Sequence, residues 1–104
     1  MARVHVLAVI TTKPGLRSKM LDIFNANVPN VHAEDGCIEY GATIDHESAG
    51  DFQTTFGDDT FVVIEKWASL DALKAHIKAP HMVEYGAKVK ELQADRRIYI
   101  MSDT

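Results

Sequence analysis

Cysteine occurs once in these 104 residues, at Cys37, tryptophan once, at Trp67, and proline three times. A lone cysteine closes no internal disulfide and supplies no cysteine-rich metal site, which fits a reducing compartment. Positive charge is also scarce: 11 Lys and Arg stand against 15 Asp and Glu, for a formal net charge of -4. Proteins that grip DNA, RNA or anionic membranes use clustered Lys and Arg, and Arg96-Arg97 is too short a run to serve. No apolar segment approaches the ~20 residues of a membrane span. The opening Met1-Ala2-Arg3-Val4-His5 is not followed by a small-residue cleavage site, so a cytoplasmic location is expected.

What remains is ordinary globular composition, 46% hydrophobic and 25% charged, at a size typical of one domain spanning residues 1–104. From Arg3 to Thr12 the chain is rich in Val and Ile without a helical period, which predicts a strand. Val4, Val6, Ala8 and Ile10 lie on one side and His5, Leu7 and Val9 on the other, because side chains alternate along a strand. After the Pro14-Gly15 turn, Leu16, Met20, Ile23, Phe24, Val28 and Val31 recur at helical spacing. Pro29 removes a backbone donor inside that pattern, so a kink or restart is expected there before Asp35-Gly36 ends the helix.

Cys37–Asp45 and Phe61–Trp67 read as the next two strands, with Ile38, Tyr40, Ala42 and Ile44 alternating against Cys37, Glu39, Gly41 and Thr43. The segment between them is too long for a tight hairpin and carries Phe52 and Phe56, the pattern of a functional, partner-contacting or mobile loop. Ser69 is an expected N-cap for a short helix bearing Leu70, Leu73 and Ile77, Pro80 opens another, and Arg97–Met101 gives a last strand. The order β-α-β-β-α-β, with its second helical segment broken at Pro80, is the ferredoxin-like α+β arrangement: a four-stranded antiparallel sheet with helices on one face. The uncovered face should then be polar. Instead residues such as Val63, Trp67, Tyr99 and Met101, or their equally apolar neighbours, must point away from the helices. A second sheet is expected to cover them, which two copies related by a two-fold axis would provide as a dimeric barrel able to hold a small ligand.

The run Phe61-Val62-Val63-Ile64-Glu65-Lys66-Trp67, followed by Ala72-Leu73-Lys74-Ala75-His76 and Pro80-His81-Met82, resembles the E-x-W, A-L-x-x-H, P-H-M signature of the antibiotic biosynthesis monooxygenase domain family. Lys13-Pro14-Gly15, Val28-Pro29 and Glu34-Asp35-Gly36-Cys37-Ile38-Glu39-Tyr40 fit that domain's earlier blocks, so the resemblance covers essentially the whole chain. The Val-Pro step, the Phe52-Gln53 loop and the Pro80-His81-Met82 block look most like its bacterial quinol monooxygenase branch. The resemblance implies a homodimer that oxidises a quinol or other hydroxylated aromatic with dioxygen, using neither flavin, haem nor metal. A haem-degrading branch shares the barrel, but aligning on Lys13-Pro14-Gly15 and Trp67 puts Ala8, His76 and Gly86 where that branch has Asn, Trp and its haem-ligating His.

Such chemistry needs a dry pocket and a base that removes a phenolic proton. Trp67 and Glu65 share one strand face by the period of two, and the resemblance places the Trp at the pocket; the plainer alternative is a core Trp beside a salt-bridged Glu. His76 is the preferred base, with His81 beside it, because imidazole titrates near neutral pH; both could instead bridge helices. Without a third ligand nearby in sequence the pair does not suggest zinc. Tyr40, Tyr85, Tyr99 and His5 are the remaining candidates to line an aromatic-binding cavity. Cys37 reads as a structural thiol rather than a nucleophile. Two other functions fit the same signature: an isomerase of a phosphorylated signalling sugar, which would want Arg97 or Lys66 in the pocket, and a non-catalytic dimeric stress protein that sequesters quinones.

Overall fold

The computed structural model describes residues 2–104, and Met1, which opens the amino-terminal stretch, lies outside the described residues. The elements run β1 (Val4–Thr12), α1 (Arg17–His32), β2 (Cys37–Thr43), β3 (Thr60–Trp67), α2 (Leu70–Lys78), α3 (Pro80–Val89) and β4 (Gln93–Ser102). The strands form one antiparallel sheet in the order β2-β3-β1-β4, the ferredoxin-like topology expected from the element order. No described helix is long and apolar enough to cross a membrane.

Alternation along β1 decides what each face does. Val4, Val6, Ala8, Ile10 and Thr12 are buried beneath the helices, while His5, Leu7, Val9 and Thr11 are only half-buried on the other side. Antiparallel pairing carries these faces across the sheet. Val63 stands opposite Ala8 and Trp67 opposite Val4, so both point into the helix-covered core and not toward the open face. Tyr99 and Met101, opposite Leu7 and His5, do point away from the helices. Trp67, Phe61, Met20 and Val31 are fully enclosed, each burial contributing on the order of 1.5–3 kcal/mol.

Several local expectations are corrected by pairing. β4 begins at Gln93, not Arg97, and β2 ends at Thr43. A register shift between Cys37 and Glu39 makes Ile38 an extra residue in β2, so it is more than half exposed instead of sharing the buried side with Tyr40. α1 continues through Pro29 to His32 without restarting; a proline so near the end removes only one late donor. Ser69 caps α2 as its sequence suggests, accepting from the Ala72 amide at 3.1 Å, and Pro80 occupies the first turn of α3.

The turn joining α1 to β2 requires glycine. Gly36 has φ +83°, and a β-carbon there would lie 2.6 Å from the Ala72 β-carbon. The Gly36 carbonyl also accepts from the Ala68 amide at 2.8 Å. Close approach of this turn to α2 brings the residue two positions earlier, Glu34, against the helix. The loop from 44 to 59 is held by its own side chains: the Asp45 carboxylate accepts from the Phe56 and Gly57 amides, and Gln53 donates to the His46 carbonyl.

Candidate active site

A cavity of about 340 Å³ lies between the sheet and the helices, on the covered face. Its floor is Val6, Ala8 and Ile10 of β1, Val63 of β3 and Ile98 and Ile100 of β4; Phe24, Leu73, Met82 and Val89 close it from above. Few polar groups interrupt these walls: His76, Glu65, Tyr40 and Tyr85 toward one end, and Lys90, Gln93 and Arg96 toward the other. Mostly apolar walls with sparse, converging polar atoms are the makeup of a small-molecule site. This cavity is contained in one chain, under the helices, and is separate from the open face that a second sheet is expected to cover.

Three elements meet at His76. Its ring is 4% exposed, tilted against the Trp67 indole at 4.6 Å between centroids and edge-on to Tyr40 at 5.4 Å. Its Nδ1 donates to Glu34 Oε2 at 2.7 Å. With Nδ1 engaged, Nε2 is the nitrogen left for the cavity that His76 lines, and no buried side-chain nitrogen or oxygen among the described residues lacks a partner. The Glu34 bond thereby sets the tautomer that leaves a basic lone pair at Nε2.

His81 completes the arrangement from α3. Asn27 of α1 donates through Nδ2 to His81 Nδ1 at 3.2 Å, and His81 Nε2 donates to the same Glu34 Oε2 at 3.1 Å. Asn27 is itself oriented, since its Oδ1 accepts from Asn30 Nδ2 at 3.0 Å. Both histidines therefore converge on one carboxylate oxygen. Among the described residues no group of three or more His, Cys, Asp or Glu side chains has the geometry to hold a metal ion.

Trp67 does not face the cavity. It is fully buried behind Glu65 and donates its indole Nε1–H to Glu65 Oε1 at 2.9 Å. Burial raises the Glu65 pKa, against the lowering effect of that bond and of the nearby His76. Burial also raises both phenols, Tyr85 to about 12 and Tyr40 further, with the Glu65 charge adding to the effect at Tyr40. At neutral pH both tyrosines keep their protons, so each has a hydroxyl hydrogen to donate. Cys37 is likewise pushed up, chiefly by burial and then by Glu34, which keeps it a thiol.

Of the residues singled out in the sequence, His76, Glu65, Tyr40 and Tyr85 share the cavity, Trp67 and His81 support its polar end, and two do not come near it. His5 lies on the opposite face, its Nε2 2.8 Å from Asp103, and Tyr99 lies on that face beside Leu7 and Val9. Arg97 and Lys66 also miss the cavity, paired with Asp95 and Glu39 instead. Sequence reasoning missed Glu34, Asn27 and Arg96. The acid before a turn glycine hinted at Glu34, whereas nothing local marks Asn27.

Fold, covered cavity and buried histidine–carboxylate pair define a small ferredoxin-like α+β protein with a small-molecule cavity under its helices. The family model for antibiotic biosynthesis monooxygenases matches residues 3–88, and the chain belongs to that family. It is 40% identical to the "Probable quinol monooxygenase YgiN" of Escherichia coli over 82% of this chain and 83% of that one. It is 33% identical to Rv0793 of Mycobacterium tuberculosis over 86% of this chain and 78% of that protein. The structure of Rv0793 superposes with a TM-score of 0.79 over 98% of this chain and 95% of the other. PA3566 from Pseudomonas aeruginosa, at 22% identity, shares the fold with a TM-score of 0.82 over 100% and 96% of the two chains.

Proposed function

We propose that this protein is a cofactor-independent monooxygenase that oxidises a quinol or other hydroxylated aromatic with dioxygen, and that it works as a homodimer. The observation that carries the reading is the His76 pair: a buried imidazole, held at Nδ1 by Glu34, lines an otherwise largely apolar cavity. Membership in a monooxygenase family and the likeness to a probable quinol monooxygenase support it.

His76 Nε2 removes the substrate's hydroxyl proton, and Glu34 stabilises the imidazolium that forms. The resulting aryloxide gives one electron to dioxygen, and the aryloxyl radical and superoxide combine at a ring carbon that bears hydrogen. Loss of that hydrogen with cleavage of the O–O bond leaves a ring carbonyl and releases water. One oxygen atom enters the product and the other leaves as water, and the substrate itself supplies all the electrons. Tyr40 and Tyr85, both protonated, donate hydrogen bonds to the developing oxyanion. Glu65, held by Trp67, is placed to take part in the later proton transfer. A purely sequestering pocket would have no use for a buried imidazole tied to a carboxylate, so catalysis is preferred to storage.

Homodimer formation rests on the open face, where Leu7, Val9, Tyr99 and Met101 form an apolar patch that no helix covers. Oxygen uptake by the purified, metal-stripped protein with a panel of quinols, set against autoxidation without protein, tests the activity. Turnover above that control without added flavin or iron is expected; ligand binding without turnover would move the assignment to sequestration or isomerisation.

A further inference from the structure

The two ends of the cavity differ in charge. One end holds the imidazole, the carboxyl group of Glu65 and two phenols; the other is bordered by Lys90, Gln93 and Arg96, with an apolar middle between them. Arg96 reaches the cavity side because it stands opposite Ile10, on the covered face, whereas its neighbour Arg97 stands opposite Val9 on the open one. Lys90 arrives from the carboxyl end of α3.

Among the described residues, Arg96 is also the one arginine without a protein partner. Arg3 pairs with Asp103, Arg97 with Asp95, and Arg17 donates to the Gly57 and Thr60 carbonyls, while Arg96 makes no ion pair or side-chain hydrogen bond among the described residues. Lys90 makes none either; among the described residues Lys13, Lys66 and Lys88 are paired with glutamates, while Lys19, Lys74 and Lys78, like Lys90, are not, and of these four only Lys90 lines the cavity. In a chain with net charge -4, two unpaired cations converge on one mouth of the cavity.

Strand register gives the distance between the ends. Glu65 stands opposite Val6, which stands opposite Ile100; Phe61, Ile10 and Arg96 form the rung four residues along β1. Two strand spacings of about 4.8 Å and four residues at about 3.3 Å separate the Glu65 and Arg96 α-carbons by roughly 16 Å. Side chains reach inward from both ends, which leaves a span suited to two fused or linked rings.

We infer that the substrate is an amphipathic anion: a hydroxylated aromatic whose hydroxyl sits at His76 and whose far end carries a carboxylate or comparable acid held by Arg96 and Lys90. The hydroxyl end of this assignment rests on the proposed function; the anion end rests on the register and the unpaired cations. Arg96 presents a planar fork suited to an acid's two oxygens, and Lys90 adds a point charge.

Calorimetric binding of 6-hydroxy-2-naphthoate and of its neutral amide separates the two ends without requiring turnover. The unaltered protein is expected to prefer the carboxylate by about five- to tenfold at low salt, as ion pairs near a surface allow, and the preference should shrink as salt screens it. Arg96→Gln combined with Lys90→Gln should abolish the preference while leaving affinity for the amide unchanged. Lys19→Gln, which removes a charge from an exposed position of α1, should keep it. Equal affinities in the unaltered protein, no binding of either compound, or a preference that survives the double change would overturn the inference. A preserved preference in a protein that consumes no oxygen would support the anion end and count only against the proposed reaction.

Discussion

The two faces of the sheet are built from the same strands with nearly the same apolar content, yet they have different fates. Under the helices, Val6, Ala8 and Val63 form the floor of a cavity whose few polar atoms are fixed by hydrogen bonds. On the other side, Leu7, Val9 and Tyr99 form a broad open surface with no buried polar network. Apolar residues by themselves therefore do not distinguish an enclosed cavity from an open surface. The difference lies in what stands above them: three helices and the Glu34 turn on one side, and, among the described residues, no helix and only Phe56 from the loop at the border of the other.

Changes on the covered face should alter chemistry, and changes on the open face should alter assembly. His76→Ala should lower turnover by about 10²- to 10⁴-fold, the usual worth of a general base, in oxygen-uptake assays, with thermal melting used to verify the fold. Full turnover in that variant would remove His76 as the base. Leu7→Asp places a charge at the centre of the open face and should raise the dimer dissociation constant by at least ~10-fold in sedimentation experiments. An unchanged assembly state would move the interface elsewhere.

Two smaller effects sharpen the contrast within the covered face. Gly36→Ala should cost about 1–3 kcal/mol in denaturant unfolding, since the residue sits at positive φ and its new methyl group meets Ala72. Turnover should fall with it, because the same turn sets Glu34 against His76. Glu65→Gln should instead flatten the pH dependence of stability. A carboxyl group raised by burial binds its proton more tightly folded than unfolded, so its contribution to stability is greatest in acid and declines as pH rises from the ordinary carboxylate pKa through the folded value. Melting temperatures measured across that range should decline less in the variant, and equal slopes would show that Glu65 is not the group responsible.

Much of this contrast is legible along the chain, and the remainder depends on long-range geometry. Period-two alternation put Trp67 and Glu65 on one face, and the helical spacing after Pro80 put His81 near the end of α2. Neither showed that Trp67 would serve Glu65 rather than the cavity. Glu34 and His76 are 42 residues apart, and their contact depends on a glycine turn closing against Ala72. Tyr99 and His5 were plausible cavity residues because both faces of β1 are apolar, so alternation alone could not tell which one the helices would cover.

By itself the sequence determined the elements and the ferredoxin-like order, because strand and helix periods and capping residues act over a few positions, and its ordered motifs, from Lys13-Pro14-Gly15 to Pro80-His81-Met82, carried the family resemblance. Tertiary structure decided which face became the cavity, that Arg96 and not Arg97 borders it, and that one carboxylate oxygen holds two histidines. Those outcomes depend on strand register and on contacts between distant segments, where a shift of one residue exchanges the inside of the sheet for the outside.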